Sequence, residues 1–269
     1  MELGLVKLIL SIAVVVGLAE VAKRVDPTLS GVLLGLPLGA GLTVYFISFE
    51  QGVEFLLPGI PWAIAGLASS LLFCLGYLWA GRKIKTGRVV SVVSGSLAAT
   101  ALFFVSGAFL RSLDLDVFSA TLLFLAVAAG NFLILRFNPW GAEQKKAGPL
   151  SPKELLLRAL IAGLIITGVT MAAPLAGSRW AGILSSFPST LYALLVIVHY
   201  ETGDELYPVI IRGFARSVTT LAVFYLGCLA ALPFFGLNLG FAIVYAISAA
   251  YLFLLHRFPR FIRRKEKNI

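Results

Sequence analysis

The sequence predicts an all-α, polytopic membrane protein of about nine transmembrane helices arranged as 4+1+4 inverted repeats. Three observations carry that expectation. The chain of 269 residues is 59% hydrophobic and 13% charged, with mean hydropathy +0.95. Its apolar runs reach about 20 residues, enough to cross ~30 Å of hydrocarbon at ~1.5 Å per residue, and they are continuously apolar rather than alternating, which suits helices and not a barrel. Third, one stretch is written twice. Residues 30–54 read SGVLLGLPLGAGLTVYFISFEQGVE and residues 181–205 read AGILSSFPSTLYALLVIVHYETGDE. An offset of 151 takes Gly31 to Gly182, Leu33 to Leu184, Pro37 to Pro188, Glu50 to Glu201, Gly52 to Gly203 and Glu54 to Glu205 without a gap. The register also extends outward, pairing Gly17 with Gly168, Phe73 with Phe224 and Gly76 with Gly227. Such a repeat sets the architecture before anything else is read.

In chain order the apolar runs place spans at 3–22, 30–49, 56–80, 88–110, 117–135, 155–175, 180–199, 208–232 and 238–256. The first could be mistaken for a signal peptide, but it lacks a basic start and the repeat pairs it with an internal span, so it reads as a mature helix. Residues 1–112 then form a first four-helix unit and 113–137 a linking helix. Residues 138–153 make a polar, Gly/Pro-containing linker, 154–257 a second four-helix unit, and 258–269 a basic tail. Cys74 and Cys228 both sit inside apolar runs without ligand spacing, which points to packing.

The net charge of +9 is distributed beside the spans, where it sets orientation, and not in a nucleic-acid patch. Lys23, Arg24, Arg82, Lys83, Lys85, Arg88, Arg136, Lys145, Lys146, Lys153, Arg158 and the six basic residues of 257–267 fall on one side, seventeen in all. Only Lys7, Arg111 and Arg179 fall on the other. The positive-inside rule then expects a multi-pass protein of the cell (plasma) membrane, with the N-terminus outside and the C-terminus cytoplasmic. In that orientation spans one to four match spans six to nine with inverted topology, and span five has no counterpart.

Proline removes a backbone hydrogen bond and clashes with the preceding turn, so Pro37 and Pro188 break spans two and seven at matching positions. Gly35, Gly39 and Gly41 flank the first; Ser185, Ser186, Ser189 and Thr190 flank the second. Paired breaks in inverted halves point to a midplane binding site, with half-helix N-termini favouring an anion. The alternative is a plain kink with small residues for close packing. Arg212 and Arg216 share one face of span eight. They read either as a cationic patch for an anionic or phosphate-bearing solute or, for Arg212, as a snorkelling side chain paired with Asp204 or Glu205. Glu50 and Glu201 close the paired spans at opposite faces, as gates or as solvated helix ends in an E-x-G-x-E turn. Glu20 is a candidate proton carrier or a partner of Lys23 or Arg24. Asn131 and His199 read as helix-to-helix hydrogen bonders. No metal cluster, P-loop or nucleophile motif is written, so no enzyme and no cofactor are expected.

The segment AGILSSFPSTLYALLVIVHYETG from Ala181, continuing through Ile210 and Ile211 into FYLGCLAAL, resembles the GlpM-like family of small inner-membrane proteins. That resemblance covers about residues 155–256 and implies a four-helix unit. The 4+1+4 plan also looks like fused dual-topology transporters and channels, such as eukaryotic fluoride exporters. The leading expectation is a transporter or exporter of a small polar, anionic solute; the alternatives are a passive channel and a non-transporting scaffold or regulator. Expected partners are a small-molecule or ion solute and membrane lipids, with no nucleic acid and a homodimer as an open option.

Overall fold

A computed structural model describes residues 2–24, 36–84, 87–137 and 151–266, with side chains for all of these except 2–3, 18–24 and 256–266. Every regular element among the described residues is a helix. They are α1 (Glu2–Arg24), α2 (Leu38–Gln51), α3 (Val53–Leu56), α4 (Ile60–Lys83), α5 (Arg88–Ser112) and α6 (Val117–Phe137). There follow α7 (Pro152–Ser185), α8 (Ser189–Thr202), α9 (Tyr207–Ser217) and α10 (Thr219–Glu266). A 3₁₀ turn, Leu57–Gly59, joins α3 to α4. Among the described residues, five helical segments are long and apolar enough to cross a membrane: Val53–Lys83, Arg88–Ser112, Val117–Phe137, Pro152–Ser185 and Tyr207–Leu255. The protein is therefore a helical, multi-pass membrane protein. The expected count of nine crossings needs residues 25–35, which lie outside the described residues, as does the linker 138–150.

Two of the long helices double back on themselves. In α7, Gly177 takes φ +80°, a conformation open to glycine at no steric cost. The 152–176 arm packs on α1, where Gly163 meets Leu8 and Gly4 meets Met171. The 178–185 arm instead runs beside α4, with Gly59 against Ser178 and Gly182, and Gly66 against Ile183 and Ser186. In α10, Gly236 takes φ +68°, and Gly240 meets Leu232 while Gly227 meets Val244. Tyr251 Oη donates to Thr219 Oγ1 at 3.1 Å across the same pair of arms. These contacts make an antiparallel hairpin, which separates spans eight and nine. The helix also continues past residue 256, the expected end of span nine, to Glu266. Span eight itself is interrupted: α9 ends at Ser217 and α10 starts at Thr219.

Helix ends are set locally. Ser151 and Glu154 form a capping box at the start of α7, with Pro152 in the first turn. Ahead of α6, Asp116 Oδ1 accepts from the Ser119 hydroxyl and from the Ser119 N–H, the latter at 2.8 Å, and these bonds, the hydroxyl's first, hold the Asp116 carboxyl below the usual carboxylate range. The core runs along α4, whose Ile60, Ala63, Ile64, Leu67, Leu71, Phe73 and Cys74 are fully buried. Cys74 and Cys228 are both buried free thiols, in keeping with a packing role.

The contacts also sort the polar residues into two ends. One end gathers Lys7, Glu50, Arg111, Asp114 and Arg179: Lys7 Nζ lies 2.6 Å from Glu50 Oε1, and Arg179 Nη2 lies 3.1 Å from Asp114 Oδ1. Arg179 also sits over the Trp62 ring at 4.3 Å and donates to the Arg111 carbonyl. The opposite end gathers Arg88, His199, Glu201 and Asp204, with Arg88 donating to the Glu201 carbonyl at 3.2 Å.

Candidate anion site at the two proline breaks

The two breaks have the same backbone geometry. Pro37 has φ −74°, ψ 58°, and Pro188 has φ −78°, ψ 59°. Both values are those of an inverse γ-turn. The N–H after each proline closes that turn, Leu38 to the Leu36 carbonyl at 2.8 Å and Ser189 to the Phe187 carbonyl at 2.7 Å. Each proline carbonyl then accepts the first α-helical bond, from Gly41 and from Tyr192, both at 2.7 Å. In the repeated E-x-G-x-E segment both glycines take positive φ. Gly52 and Gly203 end α2 and α8 with φ +84° and +65°.

The helices that start at these breaks meet. A Cβ on Gly39 would collide with Ser189 Oγ and press on Thr190 at 3.3 Å, so the first turns of α2 and α8 lie back to back. From there α2 runs toward the Lys7–Glu50 end and α8 toward the His199–Glu201 end. A cavity of about 320 Å³ opens where they meet. Pro37, Gly39, Ser186, Pro188, Ser189 and Thr190 line it, six of the residues that the sequence singles out. Neither helix has a side-chain cap among the described residues. The first N–H groups of a helix have no intrahelical acceptor and carry the positive end of its dipole, so both helices turn that end toward the same space.

Arg158 also lines this cavity. The sequence alone marks it as a flanking charge that sets orientation, because it sits a few residues beyond the linker. The capping box starts α7 at Pro152, however, and one and a half turns carry Arg158 inward. Its Nε and the Ser189 Oγ are shielded from solvent and have no hydrogen-bond partner among the described residues.

Arg212 and Arg216 do not reach the cavity. Helix α9 turns Ile210, Gly213, Phe214 and Ser217 toward it and sets the two arginines on its opposite face, beside Arg136 of α6. A period of 3.6 residues separates these two sets onto opposite sides. Ser185 is also drawn away: its hydroxyl donates to the Gly182 carbonyl at 2.7 Å and meets Tyr225 Oη at 3.0 Å. The Ser186 carbonyl is held by Ser70 Oγ at 2.6 Å, which ties the break to α4.

The carboxylates have separate fates. Glu50 is the partly buried partner of the buried Lys7, which also donates to Thr170 Oγ1 at 3.1 Å. That three-way contact joins α1, α2 and α7, whereas the sequence alone marks Lys7 only as an orientation charge. Glu201 is exposed at the end of α8. The side chain of Glu20 lies outside the described residues. Asn131 Nδ2 faces the Leu71 carbonyl at 3.5 Å. His199 is a helix-to-helix bonder: Nδ1 meets Tyr77 Oη at 3.2 Å, Nε2 meets Ser91 Oγ at 3.1 Å, and Tyr207 covers the ring at 4.1 Å. Among the described residues no group of three or more His, Cys, Asp and Glu could hold a metal ion. No family model matches the chain, and no curated protein or solved structure matches it either.

Proposed function

We propose that this protein is a non-enzymatic membrane transporter of a small anionic solute, which binds between inverted repeats at the meeting point of α2 and α8. One observation carries the reading. Two uncapped helix N-termini and a shielded arginine share a single cavity. Each of these features favours negative charge, and a guanidinium fork suits a planar or tetrahedral oxyanion. An arginine placed inside a membrane span costs about 2.5–3.5 kcal/mol on insertion scales, so a position facing a solute cavity gives it a purpose.

The inverted arrangement is supported by the opposite directions of α2 and α8 from a common origin and by the identical turns that start them. The seventeen-to-three bias of basic residues supports placing the His199–Glu201 end in the cytoplasm. The halves would rock about the cavity to expose it alternately to each side. We carry kinship of the second half with the GlpM-like family as part of the same proposal, resting on residues 181–232.

The test is uptake of small anions into proteoliposomes. Arg158→Gln should lower flux by a factor of a hundred or more, on the order of the loss of a buried charged hydrogen-bond partner, while Arg158→Lys retains part of it. Equal flux from Arg158→Gln and the unsubstituted protein would remove this site from the transport path. Cation uptake that survives when anion uptake is absent would remove the assignment of charge.

A further inference from the structure

We propose that the groove between α6 and α9 is a binding site for an anionic phospholipid headgroup, separate from the solute cavity. The groove encloses about 280 Å³ and is lined by Phe132, Leu135 and Arg136 of α6 and by Arg212, Ala215 and Arg216 of α9. Each helix contributes one face, since residues three and four apart lie side by side. The groove therefore has two chemical halves: three guanidiniums, and an apolar wall of Phe132, Leu135 and Ala215. None of these lining residues is acidic.

Arg136 and Arg216, both exposed, bring two like charges to one groove, which calls for an anion of more than one oxygen that the guanidinium fork binds in a bidentate manner. The surroundings select a lipid over a dissolved anion. Helix α6 is among the least covered in the molecule: Phe118, Leu122, Leu125, Phe132, Leu133, Ile134 and Phe137 are 44–78% exposed. In a membrane that surface contacts acyl chains, so a ligand entering beside α6 needs an apolar body as well as a charged head. The site also falls in the last turn of α6, at Arg136, the depth at which a phosphodiester meets the hydrocarbon boundary. Basic pockets between spans at this depth bind anionic headgroups through such contacts. Because the opposite face of α9, at Ile210, Gly213, Phe214 and Ser217, lines the solute cavity, a bound headgroup would hold the helix that forms one wall of that cavity.

The experiment is native mass spectrometry of the full-length protein in detergent, with added phosphatidylglycerol or phosphatidylcholine of the same acyl chains. Phosphatidylglycerol should be retained at the lower lipid concentration. In the double variant Arg136→Gln/Arg216→Gln its apparent affinity should fall on the order of 30-fold, from the loss of two surface charges. Both of these side chains are exposed, so the variant should fold as the unsubstituted protein does, and melting in detergent checks this. Arg136→Lys/Arg216→Lys should retain most of the preference. Equal retention of the two lipids, or a double variant that keeps phosphatidylglycerol undiminished, overturns the site. A third arm adds millimolar inorganic phosphate: displacement of the lipid with retention of phosphate would assign the groove to a soluble anion and overturn the lipid assignment. Failure of the Arg158 flux test would leave this result untouched, since the two sites share no residue.

Discussion

A methyl group added at Gly182 would land on the carbonyl of Gly59, and one added at Gly39 would land on the hydroxyl of Ser189. The first contact is backbone on backbone between the 178–185 arm and the 3₁₀ turn ahead of α4, so neither partner can yield by a rotamer change. Gly182→Ala is expected to destabilise the protein by about 1–3 kcal/mol, the usual range for overpacking, read as a lower melting temperature in detergent. At Gly39 the neighbouring hydroxyl belongs to the candidate site itself. A Gly39→Val side chain would occupy the space between the two helix starts, and solute flux should fall while the melting temperature moves less than for Gly182→Ala. Lys7 and Glu50 make the third such position. Their side chains are 4% and 14% exposed, and breaking a buried pair leaves one charge without compensation. Lys7→Met alone should cost about 3–5 kcal/mol, whereas Lys7→Met/Glu50→Met should recover most of the loss. Additive losses in that double variant would show that the pair is not coupled.

At the scale of elements, the proline breaks determine how α2 and α8 begin. Pro188→Ala restores a backbone N–H and removes the ring that keeps residues 186–188 out of a helix. The 178–185 arm could then run on into α8 as one continuous helix. Flux should fall while the melting temperature stays the same or rises, because a continuous helix satisfies more of its own backbone. A melting temperature that drops together with flux would mean that the turn is needed for folding and is no evidence of a site. Helix α6 offers a pH test at its other end. The Asp116 carboxyl is held below its ordinary range by bonds from Ser119, so its cap is intact above the unfolded carboxylate pKa. The cap is lost as pH falls through the depressed folded value. Hydrogen exchange in the first turn of α6 should accelerate only at that acidic limit, and Asp116→Ala should abolish the dependence.

For the whole molecule the decisive property is sidedness. Asp114, its side chain 96% exposed, marks the end that holds Lys7 and Arg179; Glu205, also exposed, marks the end that holds His199 and Glu201. Single cysteines at these two positions, each in a background with Cys74 and Cys228 replaced by Ala, should react with a membrane-impermeant maleimide from opposite sides of the bilayer. Labelling of both from the same side in sealed vesicles would contradict the crossing pattern.

The sequence by itself determined the helical membrane class, since continuous apolar runs of spanning length leave the backbone no other way to satisfy its hydrogen bonds. It also determined that residues 37 and 188 break their spans alike, because proline acts through its own ring and missing N–H and needs no neighbour to do so. The turns at Gly52 and Gly203 were legible for the same local reason. Which cation lines the cavity was decided only by the tertiary structure. Arg216 and Arg158 are both arginines near the ends of apolar runs, and nothing in their immediate sequence separates them. Helical rotation directs Arg216 to the α6 side of α9, while the capping box at Ser151 starts α7 early enough to carry Arg158 into the space between the breaks. The Lys7–Glu50–Thr170 contact was hidden for the same reason, since it joins three helices across 163 positions of chain. A proline shapes its own segment, but a charge acquires its role from whatever side chains the packing brings to it.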